Sequence, residues 1–279
     1  MQGEQSASVE FTERGVVGDR AYALVETPTG KVLSGKTPRI GTLLLSCQAA
    51  FIDAPGPGDA LSPVQITLPD GTNVTSDARN ADATLSVFFG RDVTLQRAAP
   101  DDFTIDQYHP DIEGLDPEGH RDTVTESRLG TAFFAQAGIP SPVLAGSFLD
   151  LFPVSVLTTS TLAELGTRRP ESRFDQRRFR MNVVVDSSES GFVENGWMGR
   201  SLLLGDTVRL MIVLPDPRCV MTTLAQSELP ADNDILRTLV RHNRLEVAGG
   251  VYPCAGVYAV VEASGTVRAS DPVSLVETT

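Results

Sequence analysis

Cysteine is scarce in this 279-residue chain: Cys47, Cys219 and Cys254 are the only three. No two of them stand in the C-x-x-C spacing of zinc ribbons or dithiol redox centres. So odd and sparse a set also excludes the disulfide framework of a small secreted scaffold, and a reducing, cytoplasmic setting is expected. No apolar run is long enough to span a membrane, and Met1-Gln2-Gly3-Glu4-Gln5 lacks the basic and apolar regions of a signal peptide, so no membrane partner is expected. Positive charge is short as well. Thirty-six acids face 23 Lys and Arg, a net charge of −13, which argues against a nucleic-acid partner because phosphate backbones are held mainly by lysine and arginine. No Ser, His and Asp fall into a hydrolase signature, Gly249-Gly250 is too short for a phosphate loop, and no internal repeat is evident.

What is present suffices for a real core, since 41% of the residues are hydrophobic, and the length allows one large domain or two modest ones. Between positions 100 and 126, nine acids (Asp101, Asp102, Asp106, Asp111, Glu113, Asp116, Glu118, Asp122 and Glu126) stand against Arg121 alone. Residues 99–126 therefore read as a solvated connector between domains. The sharper alternative is a metal-binding loop with His109 and His120 as extra ligands, although the spacing fits no calcium loop. Residues 1–98 read as a small β-rich subdomain. Segments 21–25 and 31–34 flank Thr27-Pro28-Thr29-Gly30, segments 65–68 and 72–75 flank Pro69-Asp70-Gly71, and both pairs are predicted hairpins. A helix is predicted over 82–89 with Asp82 as cap and Gly90 as stop, followed by a strand over 93–96.

Within 127–279, Thr161-Leu162-Ala163-Glu164 has the capping-box spacing that opens a helix, and 234–241 carries a helix-period apolar face behind an aspartate cap. Short strands are predicted at 183–185, 202–204, 208–214, 256–261 and 273–276. Many short antiparallel strands with few helices predict a mainly β (α+β) fold built on a closed or nearly closed barrel.

One cysteine has a distinctive frame. Cys219 lies in Pro215-Asp216-Pro217-Arg218-Cys219-Val220-Met221-Thr222-Thr223, directly after the apolar run 210–214. The two prolines are expected to end the strand and stiffen its exit, and Arg218 places a permanent charge beside the sulfur, favouring thiolate. This prepares a thiol for metal or sulfur chemistry. Cys47 and Cys254 sit in apolar runs and read as core. His242 closes the predicted helix, where a cation suits the helix dipole.

Further fragments fall in a recognisable order. They are Gly15-Val16-Val17-Gly18-Asp19-Arg20-Ala21-Tyr22, then Leu157-Thr158-Thr159-Ser160-Thr161-Leu162, Arg178-Phe179-Arg180-Met181-Asn182-Val183, Trp197-Met198-Gly199, Arg218-Cys219 with Thr222-Thr223, Gly256-Val257-Tyr258-Ala259, and the closing Gly265 and Asp271-Pro272-Val273. On these the chain resembles the MOSC family, named for the C-terminal domain of molybdenum-cofactor sulfurase. It is similar to bacterial relatives of the mitochondrial amidoxime-reducing component, with the family's N-terminal β-barrel companion in the first hundred residues.

The resemblance implies a pterin molybdenum cofactor with Cys219 as the protein's ligand to the metal. Arg20, Arg180 and Arg218 would lie around it, with Asn182, Tyr258 and Thr158 as hydrogen-bonding neighbours. A soft thiolate suits such a metal, and a phosphate-bearing cofactor suits guanidinium forks. The activity implied is reduction of N-oxygenated small molecules such as hydroxylamines and amidoximes. The alternatives are a sulfur carrier or sulfurtransferase with a persulfide on Cys219, and a cofactor-binding protein without turnover; the family is also associated with pyridoxal phosphate binding. No ferredoxin-like segment with iron–sulfur cysteines follows position 279, so a separate electron donor, a ferredoxin or flavoprotein reductase, is expected.

Three departures from the family pattern stand out. Relatives carry a Tyr-Pro-Val-Lys-Ser strand ahead of the counterpart of Gln2-Gly3-Glu4, and its lysine and serine help hold the cofactor. Either a strand lies upstream of Met1 or the pocket has lost part of its wall, and the former is the expectation. Ser155 stands where relatives often have histidine. Cys254-Ala255-Gly256 stands where phenylalanine often precedes the glycine, implying a reshaped cavity near Tyr258.

Overall fold

A computed structural model describes residues 1–56, 58, 60–100 and 102–277; Asp101 of the acidic stretch lies outside the described residues. In chain order the strands of the N-terminal half are β1 (Ser8–Thr12), β2 (Gly15–Val16), β3 (Tyr22–Glu26), β4 (Gln48–Phe51), β5 (Val64–Thr67), β6 (Asn73–Thr75), β7 (Val93–Arg97), β8 (Thr104–His109) and β9 (Thr123–Arg128). The remaining strands are β10 (Val154–Thr158), β11 (Val183–Val185), β12 (Ser201–Leu204), β13 (Val208–Pro217), β14 (Arg244–Val247), β15 (Gly250–Ala263), β16 (Gly265–Arg268) and β17 (Val273–Val276). The helices are α1 (Pro38–Ser46), α2 (Ala81–Phe89), α3 (Gly130–Ala137), α4 (Thr159–Arg168) and α5 (Asp234–His242), which makes the fold mainly β, as expected.

The chain forms two compact units. The first comprises Met1–Gln5, Val17–Gln107 and Val124–Leu151. Here β3 pairs antiparallel with β7 from Tyr22↔Arg97 to Glu26↔Val93, and the return segment 31–34 contributes an isolated bridge, Val25↔Val32. The hairpin expected over 21–34 forms in shortened form: beside the Val25↔Val32 bridge the Glu26 amide donates to the Lys31 carbonyl (2.9 Å) and the Leu33 amide to the Leu24 carbonyl (2.8 Å), while β7 takes the longer ladder with β3. The hairpin expected around Gly71 forms as β5–β6, with β4 on its other side. Helix α2 ends at Gly90 in the left-handed conformation (φ 62°). Its N-cap is Asn80 rather than Asp82, which sits in the first turn and accepts a hydrogen bond from the Leu95 amide (2.8 Å). Leu24, Cys47, Ile66, Leu85 and Phe89 share one core of this unit; Val25, Phe103, Ile105 and Phe148 share a second.

The other unit comprises Ser6–Val16, Tyr108–Thr123 and Phe152–Thr279. Its main sheet runs β11-β10-β15-β13-β12-β17, with β14 pairing β15, and β16-β1-β2 forms a smaller sheet. Strands β10 and β11 are parallel, a pairing that needs a crossover, and α4 supplies it. The helix begins earlier than its capping-box spacing predicts. Thr158 is the N-cap, its Oγ1 accepting from the Thr161 amide (3.2 Å), because β10 runs straight into the helix. Helix α5 likewise begins behind Asn233, and Asp234 is its first residue.

The prolines at 215 and 217 do not end the strand. β13 continues through Pro217, which pairs with Cys254, and the β13–β15 ladder slips at Arg209/Leu210, Ile212/Leu214 and Pro215/Pro217. At such irregularities a missing amide proton costs no ladder bond, and each slip bends the strand. The result is a curled half-barrel sheet. Val154, Val156, Leu202, Leu210, Ile212, Val257 and Ala259 fill one face of it. Leu157, Leu165, Phe179, Ile235, Leu239 and Ala255 form a second cluster that also takes Ile112 and Leu115 from the acidic stretch.

Gly256 holds a left-handed φ of 81°, and a Cβ there would run into the Met181 methyl and the Val156 carbonyl oxygen. Gly256→Ala is expected to lower unfolding free energy by about 2–4 kcal/mol, from left-handed strain plus overpacking, read as a reduced urea midpoint.

Candidate functional site

Of the three cysteines only Cys219 is not buried, and all three are free thiols. Cys219 has extended backbone (φ −118°, ψ −177°) and is the N-cap of the 3-10 turn Val220–Thr223, where its carbonyl accepts from the Thr222 amide (3.2 Å) and hydroxyl (3.1 Å). Cys254 is fully buried on β15, and burial first, then the nearby Asp216 carboxylate, push its pKa up to about 12. Cys47 is also core, with its pKa raised by burial.

Arg218 does not direct its guanidinium to solvent. Nη1 donates to Asp216 Oδ2 (2.5 Å), Nη2 donates to the Phe179 carbonyl (2.5 Å), and the group lies 5.7 Å from the Phe179 ring centre. Asp216 is 2% exposed and two residues away along the strand, so the two side chains share a face and the charge beside Cys219 is matched internally. These contacts hold the Arg218 guanidinium against the 179–181 segment.

Arg178 stands between Arg177 and Phe179-Arg180 in the sequence, yet it is 1% exposed. Its Nε donates to the Arg173 carbonyl (3.0 Å), Nη1 to those of Thr222 (3.4 Å) and Leu224 (3.2 Å), and Nη2 to that of Pro230 (2.7 Å). Burial lowers its pKa, while Asp232 and Asp175 favour its charged form. It therefore gathers the loop leaving Cys219 onto the segment before β11. On the surface beside it, Arg177 reaches both Asp175 (Oδ2, 2.7 Å) and Glu228 (Oε1, 2.7 Å) and tightens the same junction.

The segment after Arg178 runs alongside Arg218, whose Nη1 also contacts Met181 Sδ (3.8 Å). Arg180 is half-buried with a left-handed φ of 56°. Asn182 is braced on β10, its Oδ1 accepting from the Ser155 amide and hydroxyl (3.0 Å each). Ser155 is the register partner of Tyr258, so they point to one face of the sheet, where Tyr258 stacks on Phe152 (5.1 Å between ring centres). Thr158 differs: it is fully buried, donates to Glu194 Oε2 (2.6 Å) and caps α4. Arg20 belongs to the first unit, where its carbonyl accepts from the Phe148 amide (3.2 Å).

A separate groove of about 210 Å³ between α4 and α5 is lined by residues including Arg168, Arg169, Arg237, Arg241 and His242. The cation expected on His242 is disfavoured there, because burial and the neighbouring Arg168 and Arg241 lower its pKa.

A curled, bulged sheet with one accessible thiol at the mouth of a strand defines the class of the site. The family model described as the MOSC domain matches residues 145–274, and this part of the chain is a MOSC domain. Mitochondrial amidoxime reducing component 2 of Bos taurus is 33% identical over 132 residues, 46% of this chain and 38% of that protein. Mitochondrial amidoxime-reducing component 1 of Homo sapiens is 30% identical over 134 residues with the same coverage, so the chain spans well under half the length of these curated relatives. Among solved structures, the YuaD protein from Bacillus subtilis aligns over 49% of this chain and 70% of its own at 16% identity, with a TM-score of 0.36. YiiM from Geobacillus stearothermophilus aligns over 45% and 55% at 17% identity, with a TM-score of 0.30. Among the described residues, no helix is long and apolar enough to cross a membrane.

Arg178→Met is expected to cost about 2–4 kcal/mol, since it strips the donors from several enclosed carbonyls, and to make the 222–230 loop a preferred site of limited proteolysis; unchanged urea midpoint and cleavage pattern would contradict this role. The Arg177 cluster predicts an acid limb. Hydrogen bonding to Arg177 lowers the Asp175 and Glu228 pKa values to about 2, so their stabilisation is complete above the ordinary carboxylate range near pH ~4 and drains away as pH falls towards 2. In Arg177→Ala that part of the slope of stability against pH should flatten, as measured by thermal melts between pH ~5 and ~2.

Proposed function

We propose that this chain is a molybdenum-cofactor-binding MOSC protein that reduces N-oxygenated small molecules, with Cys219 as the protein's ligand to the metal. The observation that carries this reading is Cys219 itself: the one thiol that is not buried, on a turn anchored by Arg178, within the segment matched by the MOSC model. The donor chemistry fits the group, because a soft sulfur suits a metal already held by dithiolene sulfurs. The bound group would contribute the two-electron redox chemistry of the metal.

The chain's own residues divide the remaining tasks. Cys219 Sγ binds. Arg180 would neutralise the cofactor's phosphate, and Asn182, directly before β11, and Tyr258, on β15, would hydrogen-bond the pterin. Arg218 supports rather than binds, keeping the 179–181 segment against the strand that presents Cys219. Thr158 fixes the start of α4 and, through it, the Thr159–Asp186 link (3.1 Å) just after β11. Arg20 lies in the first unit, which serves as the companion domain in this reading, and Phe152–Thr279 of the second unit carry the MOSC domain. Electrons come from a separate donor protein, and substrates are small molecules such as hydroxylamines and amidoximes.

The test compares parent and Cys219→Ala chains expressed in a cofactor-replete host, with molybdenum measured by mass spectrometry and folding by circular dichroism. Molybdenum near stoichiometric in the parent and at background in the folded variant is the expected result. Full occupancy in Cys219→Ala would remove the thiol from the metal, and a sulfane-sulfur adduct on Cys219 without molybdenum would assign the chain to sulfur carriage, which its accessible thiol also favours.

A further inference from the structure

The acidic stretch holds a group of side chains that the cofactor reading does not use. His109 ends β8, Asp116 and His120 stand four residues apart in the following loop, and their ligand atoms all lie within 4.8 Å of one another. Asp116 Oδ2 is 2.7 Å from His109 Nδ1 and 2.9 Å from His120 Nδ1. The other carboxylate oxygen, Oδ1, is committed to the Glu118 amide (2.7 Å), which fixes the direction in which Oδ2 faces. His109 and Asp116 have side chains only 11% and 10% exposed, whereas His120 is 37% exposed and leaves one side open.

We propose that His109, Asp116 and His120 form a binding site for a first-row divalent cation, with Zn²⁺ the best match. Two imidazole nitrogens and one carboxylate oxygen are the donors this ion takes when three protein ligands leave a fourth position to water. A tetrahedral ion with bonds of about 2.0–2.1 Å needs donors roughly 3.3 Å apart, so the two imidazole-to-carboxylate contacts open by about half an ångström and the imidazole pair, within 4.8 Å, adjusts to the same spacing. Coordination through Nδ1 places the ring proton of His120 on Nε2, where Glu118 Oε2 lies 3.6 Å away as an outer acceptor within a small rotation. The acids Asp111, Glu113, Glu118 and Asp122 nearby in the sequence, against Arg121, add a field that favours a dication.

The base beneath the site is firm. Ile112 and Leu115 are buried in the cluster formed with Leu157, Leu165 and α5, and Tyr108 Oη donates to Asp122 Oδ1 (2.9 Å) across the ends of the segment. Each donor therefore sits on backbone anchored independently of the ion, and the ion acts as a clip that fastens the 108–123 excursion.

The experiment uses the full chain carrying Cys219→Ser, so that the exposed thiol does not compete, stripped with chelator and titrated with zinc against a chromophoric chelator. One zinc per chain is expected. His120→Ala and Asp116→Asn should each weaken binding about 10- to 100-fold or more. Added zinc should raise Tm in the parent and leave it unmoved in His120→Ala, whose half-exposed side chain makes loss of folding an easily checked alternative by circular dichroism. Cobalt should give the visible d–d bands of a four-coordinate site in the parent alone. A parent that binds no stoichiometric zinc, or a folded His120→Ala that binds it equally well, overturns the proposal.

Discussion

The guanidinium of Arg178 is the constraint on which the rest of the Cys219 region depends. A charged group that large enters a protein interior only when its donors are satisfied. Here four carbonyls do so, one from residue 173 and three from residues 222, 224 and 230. The exchange works in both directions. The loop after Cys219 has no regular secondary structure between residues 224 and 233, and its carbonyls would otherwise turn towards water, whereas around one rigid planar fork they fix the loop's path. Lysine, with a single ammonium at the end of a flexible stem, could not span the same set.

A second device works alongside it. The ladder between β13 and β15 is long and repeatedly out of step, and the last of its slips falls at Pro215/Pro217, where proline lacks an amide proton. Gly256, next to the last of these, lets β15 come against the Val156 carbonyl and the Met181 methyl. Bending and close approach together bring three stretches distant in sequence, 155–158, 179–182 and 216–219, to one region of the sheet. Arg218 then ties two of them, holding Asp216 on its own strand and Phe179 across the gap.

The sequence made some of this legible and hid the rest for physical reasons. The stop at Gly90, the hairpin around Gly71, the strands 183–185, 202–204 and 273–276 and the isolation of Cys219 from the two core cysteines are local matters, decided by residues within a few positions. Arg178 was not legible because it stands among Arg177, Phe179 and Arg180, and what separates it from its neighbours is carbonyls 44 to 52 residues away. The true cap of α4 was missed by three residues because Thr158 also belongs to β10, and the capping spacing carries no information about where a strand ends. The near partner of 22–26 was legible as a turn between two apolar runs, whereas its longer ladder, with β7 some seventy residues on, left no local signal. Among the proposed cofactor residues, family resemblance supplied positions but not orientations, and Thr158 and Arg218 turn inward.

Strand β1 gives the chain an order of assembly. Its ladder runs from Ser8↔Arg268 to Phe11↔Gly265, and 256 residues separate Glu10 from its partner Thr266. Closing a loop of that size carries a substantial entropic cost, and β1 cannot pair until synthesis has reached β16. Phe11, completely enclosed in the finished sheet, has no interior to enter before then. The Val17–Gln107 and Val124–Leu151 stretches both precede β16, so they can collapse on their own cores while β1, with Phe11, stays unpaired, a state in which chaperone binding has a defined target.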